Sequence, residues 1–407
     1  MTKDKDYIPV LLTDKLQIIE QKQFNNSKII IIGNIELDRF FEIGEDKKEI
    51  IKIIISLING ENTLEQIQKI LLNEYRIKTD ISFFLKKLSS IGLIKGEEAT
   101  VSINEIDAVG IKILNLKFKG MNEIVRAFLS FLFRTGRLFY LLFVIFLIPI
   151  IIIFWDNIND KNVIDMIIKK RSIVAVGLTY YLISWFVLFV HELAHICAIA
   201  FCGLRLKQVS ISLYMGLYPL YYSKAQGIYT LCAQKRLIII SAGLAANMTM
   251  AIIALLVIIF SPQSSFCFYL ATLFLIKNIF MIISNISPFK LSDGYFIFST
   301  ILGIKNLRSN IFSEGIKGIF RTFKRDRKLA LLKFAYYVVF LVIVSLSIVY
   351  FSIFVYGIIK EASEKLSILP TVIVIALVSV YVIFAVLNLY KKIKFWRRNS
   401  NEHNKDF

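Results

Sequence analysis

Histidine is nearly absent from this chain of 407 residues, which contains three. One of them, His403, lies in a polar C-terminal stretch. Both histidines of the hydrophobic part, His191 and His195, therefore fall within one five-residue segment. The four cysteines form no CxxC pair, which argues against a disulfide framework and favours a role as small apolar residues. The scarcity of histidine directs attention to that one segment.

The segment reads His-Glu-Leu-Ala-His over residues 191–195 and lies in an apolar stretch. On a helix, positions four apart share one face, so His191 and His195 can reach the same metal ion. Glu192 then lies beside the metal, where its carboxylate can take a proton from a bound water. A buried histidine pair in an ordinary helix is the competing interpretation, but ionisable groups at membrane depth are costly and usually functional. The pattern predicts a metal centre with Glu192 as general base.

The chain is too apolar for a soluble domain, with 56% hydrophobic residues and a mean hydropathy of +0.64. Runs of about 20 apolar residues are long enough to cross a bilayer. Six spans are expected, near 138–155, 173–202, 237–260, 267–289, 334–359 and 368–390. The predicted fold class is mostly α: a polytopic membrane helix bundle of about six spans with a small N-terminal winged-helix-like α/β domain.

The net charge of +19 is unevenly distributed. Residues 1–100 hold 15 Lys and Arg against 16 Asp and Glu, whereas the rest of the chain holds 34 against 14. The basic residues gather in alternate loops, as the positive-inside rule expects for a multi-pass bacterial membrane protein with both termini in the cytoplasm. The neutral N-terminal part argues against nucleic-acid binding, which needs phosphate contacts from Lys and Arg.

Composition divides the chain into six segments. They are a winged-helix domain (1–100), a connector (101–137), a membrane core with the histidine segment (138–303), a basic cytoplasmic loop (304–333), a further pair of transmembrane helices (334–390) and a basic cytoplasmic tail (391–407). Within the connector, Met121 to Phe133 is expected to form an amphipathic helix on the membrane lipid surface. The winged-helix assignment depends on the order of elements. Strands at 28–32 and 37–43 lie around a turn at Gly33-Asn34. A helix follows over 49–59, a second opens at the capping box Thr63-Leu-Glu-Gln66, and a third is capped by Asp80 and ends at Gly92, before a closing strand at 93–95.

That order, with Asn-Thr-Leu-Glu-Gln-Ile from Asn62 and Ser-Ser-Ile-Gly-Leu-Ile from Ser89, resembles the PqqD-like domains that recognise leader peptides in peptide-maturation systems. The resemblance covers roughly residues 8–97. It implies a precursor peptide as partner, in company with a transporter or a peptide-modifying enzyme. In such a domain the leader is expected to add as a strand to an open sheet edge, for which Lys28–Ile32 is a candidate.

Two histidines leave a catalytic zinc one protein ligand short. Asp293 is the one acidic residue between Glu192 and Glu314, so it is the best candidate for the third ligand. Pro288 breaks the preceding helix and Gly294 permits an irregular backbone, which lets the carboxylate turn inward. The alternation of spans also places the Asp293 segment and the histidine pair on the same, cytoplasmic side of the membrane.

The motif HExxH followed two spans later by Asn-x-x-Pro-x-x-x-x-Asp-Gly (Asn285 to Gly294) resembles the site-2 protease family of intramembrane zinc metalloproteases. The resemblance covers about residues 173–303, with Ser292 where the family often has leucine. It implies that His191, His195 and Asp293 bind Zn²⁺ and that Glu192 is the general base.

Two asparagines are candidates for substrate binding. Asn247 ends the sequence from Lys235 that resembles the third span of the same family, at a depth close to that of His191. It is expected to bond substrate or a metal ligand, with helix–helix bonding as the alternative. Asn285 opens the second motif. Residues 206–230 alternate apolar and polar side chains, which predicts either a hairpin beside the site, where substrate adds as a strand, or a plain cytoplasmic loop.

The expected function is that of an intramembrane zinc endopeptidase that cleaves a ribosomally made precursor peptide, such as a bacteriocin-type modified peptide. One alternative keeps the enzyme and makes it a signalling site-2 protease that cuts membrane-anchored regulators. A second alternative is a non-enzymatic component for export of, or immunity to, such a peptide, although a scaffold has no need of HExxH with an aspartate.

Overall fold

A computed structural model describes residues 7–22, 28–77, 79, 81–97, 110–118, 122–136, 173–214, 218–289, 292–303, 307, 311, 319, 322–323 and 327–365. The chain is mostly helical, with a small three-stranded sheet near its N-terminus. It forms two compact units, Met1–Gly303 and Ile304–Phe407.

The N-terminal domain, residues 7–97, is an antiparallel sheet covered by helices. Its elements are β1 (Leu16–Lys22), β2 (Lys28–Asn34), β3 (Arg39–Gly44), α1 (Lys48–Leu57), α2 (Leu64–Asn73) and α3 (Ile81–Ser90), with the strands in the order β1-β2-β3. Ile30 and Ile32 of β2 join Ile54, Leu71 and Leu88 of the three helices in one apolar core. Burying a side chain of this size contributes about 1.5–3 kcal/mol, which explains why the isoleucine-rich strand is central.

The predicted capping box of α2 is confirmed. The Thr63 hydroxyl accepts a hydrogen bond from the Gln66 N–H at 3.2 Å, and the Gln66 side chain accepts one from the Thr63 N–H at 2.7 Å. The predicted closing strand at 93–95 is reduced to a single bridge between Leu11 and Ile94. Asp80, predicted to cap the third helix, lies outside the described residues.

Two predictions for the first sheet are wrong. Gly33 and Asn34 are not a turn but the end of β2, where Asn34 pairs with Arg39, and the Asn34 side chain accepts hydrogen bonds from the N–H groups of the true turn, 35–38. Lys28–Ile32 is not an open edge, because β2 pairs with β1 on one side and β3 on the other. The error arises from β1, which was not predicted because its polar residues hid the strand pattern.

A second antiparallel sheet lies next to the membrane helices and contains β4 (Gly110–Lys117), β5 (Arg205–Tyr214) and β6 (Tyr218–Gln226), in that order. The hairpin predicted over 206–230 is confirmed in β5 and β6. β4 comes from the segment assigned to an amphipathic connector and was not predicted as a strand. It adds to β5 and leaves β6 at the other edge of the sheet.

The amphipathic helix predicted from Met121 to Phe133 is found as α4, helical over 123–136. Its apolar side chains Ile124, Phe128 and Phe131 are 77%, 59% and 63% exposed. On the other face, Phe133 stacks on Phe201 with ring centroids 5.0 Å apart. An exposed apolar stripe of this kind suits a helix that lies on a membrane surface, and contact with lipid stays a prediction.

Three described helices of the first unit are long and apolar enough to cross a membrane: α5 (Ile173–Phe201), α6 (Ala233–Phe260) and α7 (Phe266–Ile286). They correspond to the second, third and fourth predicted spans, and α6 begins four residues earlier than expected. A short helix, α8 (Asp293–Leu302), follows α7. The predicted spans at 138–155 and 368–390 lie outside the described residues, so the total of six spans stays a prediction.

The second unit contains α9 (Arg327–Lys365), which includes the fifth predicted span at 334–359. This helix begins at Arg327, so the end of the segment expected to be a loop, 304–333, is helical.

Candidate metal centre

The two histidines of the HELAH segment lie on one face of α5, as their spacing requires. Their side chains are buried, with 7% of His191 and 9% of His195 exposed. Their Nε2 atoms face each other at 3.3 Å. Two imidazole nitrogens at this distance can share either a proton or a metal ion, and a metal ion would need a further ligand.

Asp293 supplies a third group from the break between α7 and α8. Helix α7 ends at Ile286, just before Pro288, and Ser292 precedes α8 in an extended conformation. The Ser292 hydroxyl donates to the carbonyls of Ser287 at 3.2 Å and Asn285 at 3.4 Å, which ties the turn back to the end of α7. Asp293 is therefore the first residue of α8, where the helix dipole favours its negative charge.

Gly294 makes the turn possible because it lets the start of α8 pass close to the backbone at the end of α7. A Cβ atom at this position would lie 2.2 Å from the carbonyl oxygen of Ile286 and 2.5 Å from that of Asn285. Any larger residue would push Asp293 away from the histidines.

The ligand atoms form a nearly equilateral triangle. Oδ2 of Asp293 lies 3.2 Å from Nε2 of His191 and 3.4 Å from Nε2 of His195, and the two Nε2 atoms are 3.3 Å apart. Zinc bonds of about 2.0–2.1 Å at the tetrahedral angle separate ligand atoms by about 3.3–3.4 Å. The buried His191–His195–Asp293 group can thus hold a metal ion, and its three sides match a tetrahedral site with a fourth position left for another ligand.

The surroundings of the Asp293 carboxylate also suit a metal ligand. Its buried Oδ2 accepts no hydrogen bond with acceptable geometry from the described residues. Burial raises the pKa of the Asp293 carboxyl, but the two neighbouring imidazoles lower it further, so that the pKa lies below its usual range. Oδ2 of Asp293 is thus an acceptor beside both Nε2 atoms that a metal cation would satisfy.

Helix α6 supplies the groups that orient both imidazoles. Nδ1 of His195 lies 2.8 Å from the carbonyl oxygen of Ile239, so this nitrogen carries the proton and leaves Nε2 free to coordinate. Nδ1 of His191 lies 3.1 Å from the side-chain nitrogen Nδ2 of Asn247, which is fully buried. A half-turn of the amide would exchange its nitrogen and oxygen; Nδ1–H would then donate to Asn247 and leave Nε2 of His191 free as well.

Gly243 lies between these two positions and admits the imidazoles. A Cβ atom there would come within 2.4 Å of Cε1 of His191 and 2.5 Å of Nε2 of His195. Neither Ile239 nor Gly243 was predicted to have a role in the site. A usable signal was present, because Ile239, Gly243 and Asn247 follow one another at four-residue intervals and so share one face of α6.

The remaining predicted residues lie at the margin of the centre. Glu192 is half-buried on α5 directly after His191, outside the group of three ligands. The Asn285 side chain is half-buried at the end of α7, and within the described chain it makes no hydrogen bond to the three ligands. The substrate-binding roles of Asn247 and Asn285 stay predictions, whereas the contact of Asn247 with His191 agrees with the alternative role on a ligand.

No protein-family model, no curated protein and no solved structure was found to match this chain. The chain is thus described by its own geometry: three described helices long and apolar enough to cross a membrane, and a buried His-His-Asp group that could hold a metal ion.

Proposed function

We propose that this protein is an intramembrane zinc endopeptidase of the site-2 protease type that cleaves a ribosomally made precursor peptide. The observation that carries the proposal is the triangle of His191, His195 and Asp293, with a glutamate next to the first histidine. Two imidazoles and one carboxylate are a ligand set that zinc accepts in hydrolases, and a site with three protein ligands keeps one position for water or substrate.

Bound zinc would supply Lewis-acid polarisation of the attacking water and of the scissile carbonyl. The protein's own residues do the rest. Glu192 takes the proton from the attacking water as its oxygen adds to the carbonyl carbon. It then delivers a proton to the amine nitrogen as the peptide carbon–nitrogen bond breaks. The Ile239 carbonyl, and the Asn247 amide once its oxygen faces His191, would hold the histidines in the tautomer that keeps Nε2 available.

The edge of β6 is the proposed path of the scissile segment. Tyr221 of β6 packs edge-on against Phe189 and Trp185 of α5, with ring centroids 6.2 Å and 6.1 Å apart. Phe189 is two residues from His191, so a peptide added as a strand along β6 would run beside the helix that bears the histidines. Backbone hydrogen bonds would hold such a peptide extended, which a peptidase needs because a helical bond is shielded from attack.

The N-terminal domain is the proposed binding site for the leader of the precursor. Since β2 is central, the strand would add to β3, whose outer edge carries no further strand in the part of the chain that the structure describes. The nearly equal numbers of acidic and basic residues in this domain favour a peptide over nucleic acid. The proposed location is the bacterial cell membrane, with both termini in the cytoplasm and with a transporter or a peptide-modifying enzyme as functional partner.

The decisive experiment uses the full chain in lipid nanodiscs. Metal content is measured first, and the short peptides encoded beside the gene are then incubated with the wild type and with Glu192→Gln. The proposal expects about one zinc per chain in both proteins and cleavage by the wild type alone. Cleavage of a membrane-anchored regulator instead of a precursor would favour the signalling protease. Bound zinc without cleavage of either substrate would favour the export or immunity component.

A further inference from the structure

The N-terminal domain is docked on the start of α6. It contacts residues 226–236, hereafter the docking segment, which join β6 to α6. The domain contributes Gln21 of β1 and the β2–β3 turn. Its polar contacts include those of Gln21 with Leu231 and Arg236, of Ile35 with Gln226, and of Asp38 with Gly227.

Gln21 is the buried part of this interface. Its side-chain N–H donates to the Leu231 carbonyl, and its oxygen accepts from the Arg236 guanidinium at 3.4 Å. Only 6% of Gln21 and 8% of Arg236 are exposed. The Glu42 carboxylate on β3 adds a favourable charge interaction with Arg236. Buried polar groups of this kind lose their partners when the domain departs, so they favour the docked arrangement.

Asp38 is the second anchor and has a special backbone. Its φ of 57° lies in the left-handed region, where aspartate, asparagine and glycine are tolerated best. Its Oδ1 accepts a hydrogen bond from the Gly227 N–H at 2.6 Å. Burial raises the pKa of the Asp38 carboxyl, although the Gly227 N–H and the charges of Lys207 and Lys224 act against this effect. The carboxylate is thus covered by the hairpin base and the docking segment together.

The docking segment runs directly into the helix that orients the metal ligands. Arg236, held by Gln21, is three residues before Ile239, whose carbonyl accepts from His195. Gly243 and Asn247 follow on the same face of α6, about 16 Å from Arg236 to Asn247 at 1.5 Å per residue. A helix is stiff over this length. A small rotation or slide of its first turn therefore reaches the positions that touch the two imidazoles.

We infer that the docked N-terminal domain is a positioning element for the metal centre: by fixing the start of α6 through Gln21 and Asp38, it holds the helix face that orients His191 and His195. This inference rests on the metal site of the proposed function and is independent of whether the site cleaves peptides. It gives the leader-binding domain a second task besides capture of a substrate. A change at its interface is expected to alter metal binding at residues it never touches.

The test compares Asp38→Gly with Asp38→Asn in the full chain in nanodiscs. Both replacements tolerate the left-handed backbone, but only asparagine keeps an acceptor for the Gly227 N–H. Docking is read from hydrogen exchange of the peptide that contains the Gly227 amide. The metal centre is read with Co²⁺ alone as the probe, from its affinity in competition with a chelator and from its visible absorption spectrum.

Asp38→Gly should speed exchange at Gly227, weaken Co²⁺ binding by about three- to tenfold and shift the cobalt spectrum. That is less than the 10–100-fold loss typical of removing a direct partner of a ligand. Asp38→Asn should keep the exchange rate, the Co²⁺ affinity and the cobalt spectrum of the wild type. Faster exchange with unchanged affinity and spectrum would overturn the inference. If Asp38→Gly leaves the exchange rate of the Gly227 amide unchanged, the double variant Asp38→Gly/Gln21→Leu is measured. Continued protection of the Gly227 amide in the double variant would also overturn the inference. Absence of metal from the wild type would instead refute the proposed function.

Discussion

Gly243→Ala offers the most direct test of how α6 packs on the metal ligands. The added Cβ would lie 2.4–2.5 Å from atoms of His191 and His195, whereas ordinary contacts begin near 3.4 Å. The imidazoles would have to retreat by about 1 Å. They cannot simply rotate, because their Nδ1 atoms are held by Asn247 and Ile239. Metal–ligand distances tolerate deviations of only about 0.2 Å. A metal affinity at least about 100-fold lower is therefore expected, with a loss of about 1–3 kcal/mol of stability from overpacking.

The assay is zinc affinity by chelator competition, together with the thermal midpoint of the detergent-solubilised protein. Gly177→Ala is the matched control, since Gly177 also lies within a membrane helix and a Cβ there meets nothing within 4 Å. That variant should bind zinc like the wild type. A Gly243→Ala protein with wild-type zinc affinity would show that α6 does not press on the histidines, and the orienting role of its face would be refuted.

Three further predictions concern single side chains. His195→Ala should abolish stoichiometric zinc, as measured by elemental analysis, while His403→Ala should leave it unchanged; retention of zinc by the first would place the metal elsewhere. Asn247→Leu should lower zinc affinity by about 10–100-fold because Nδ1 of His191 loses its acceptor, whereas Asn247→Asp should keep an acceptor and most of the affinity; equal losses in both would contradict this role. Thr63→Ala should cost the N-terminal domain about 1 kcal/mol, detectable as faster hydrogen exchange in α2, and an unchanged rate would mean that the capping box contributes nothing.

The ligand set could be predicted because residues able to bind a metal are rare in the hydrophobic part of the chain. With two histidines in the hydrophobic part and one acidic residue in the 121 positions between Glu192 and Glu314, little choice was left. Helical periodicity then placed the histidines on one face, and Pro288 marked the break that brings Asp293 inward. The orienting groups were harder to foresee, because the Ile239 carbonyl is a backbone atom and Gly243 acts through the side chain it lacks.

The sheets show where single-sequence patterns stop being informative. Strand β1 mixes Gln17, Glu20 and Gln21 with apolar residues. One of these polar side chains, Gln21, is buried against a distant part of the chain. The reason for a polar residue at this position is visible only in the folded chain, where Leu231 and Arg236 lie beside Gln21. Strand β4 likewise gains its pairing from β5, about 90 residues later, so no local signal distinguishes it from a connector.

The same pairing of β4 with β5 sets an order for assembly during synthesis. Gly110 pairs with Tyr214, so β4 leaves the ribosome before α5 and must wait for a hairpin made after that helix. At 5–20 residues per second, the delay is roughly 5–20 s. During this time the edge of β4 is unpaired, and neither Asp293 nor the docking segment has yet been made. The metal centre is thus among the last features of the first unit to form, and a nascent chain that stalls before residue 205 should be a target for quality-control proteases and should lack the Asp293 ligand.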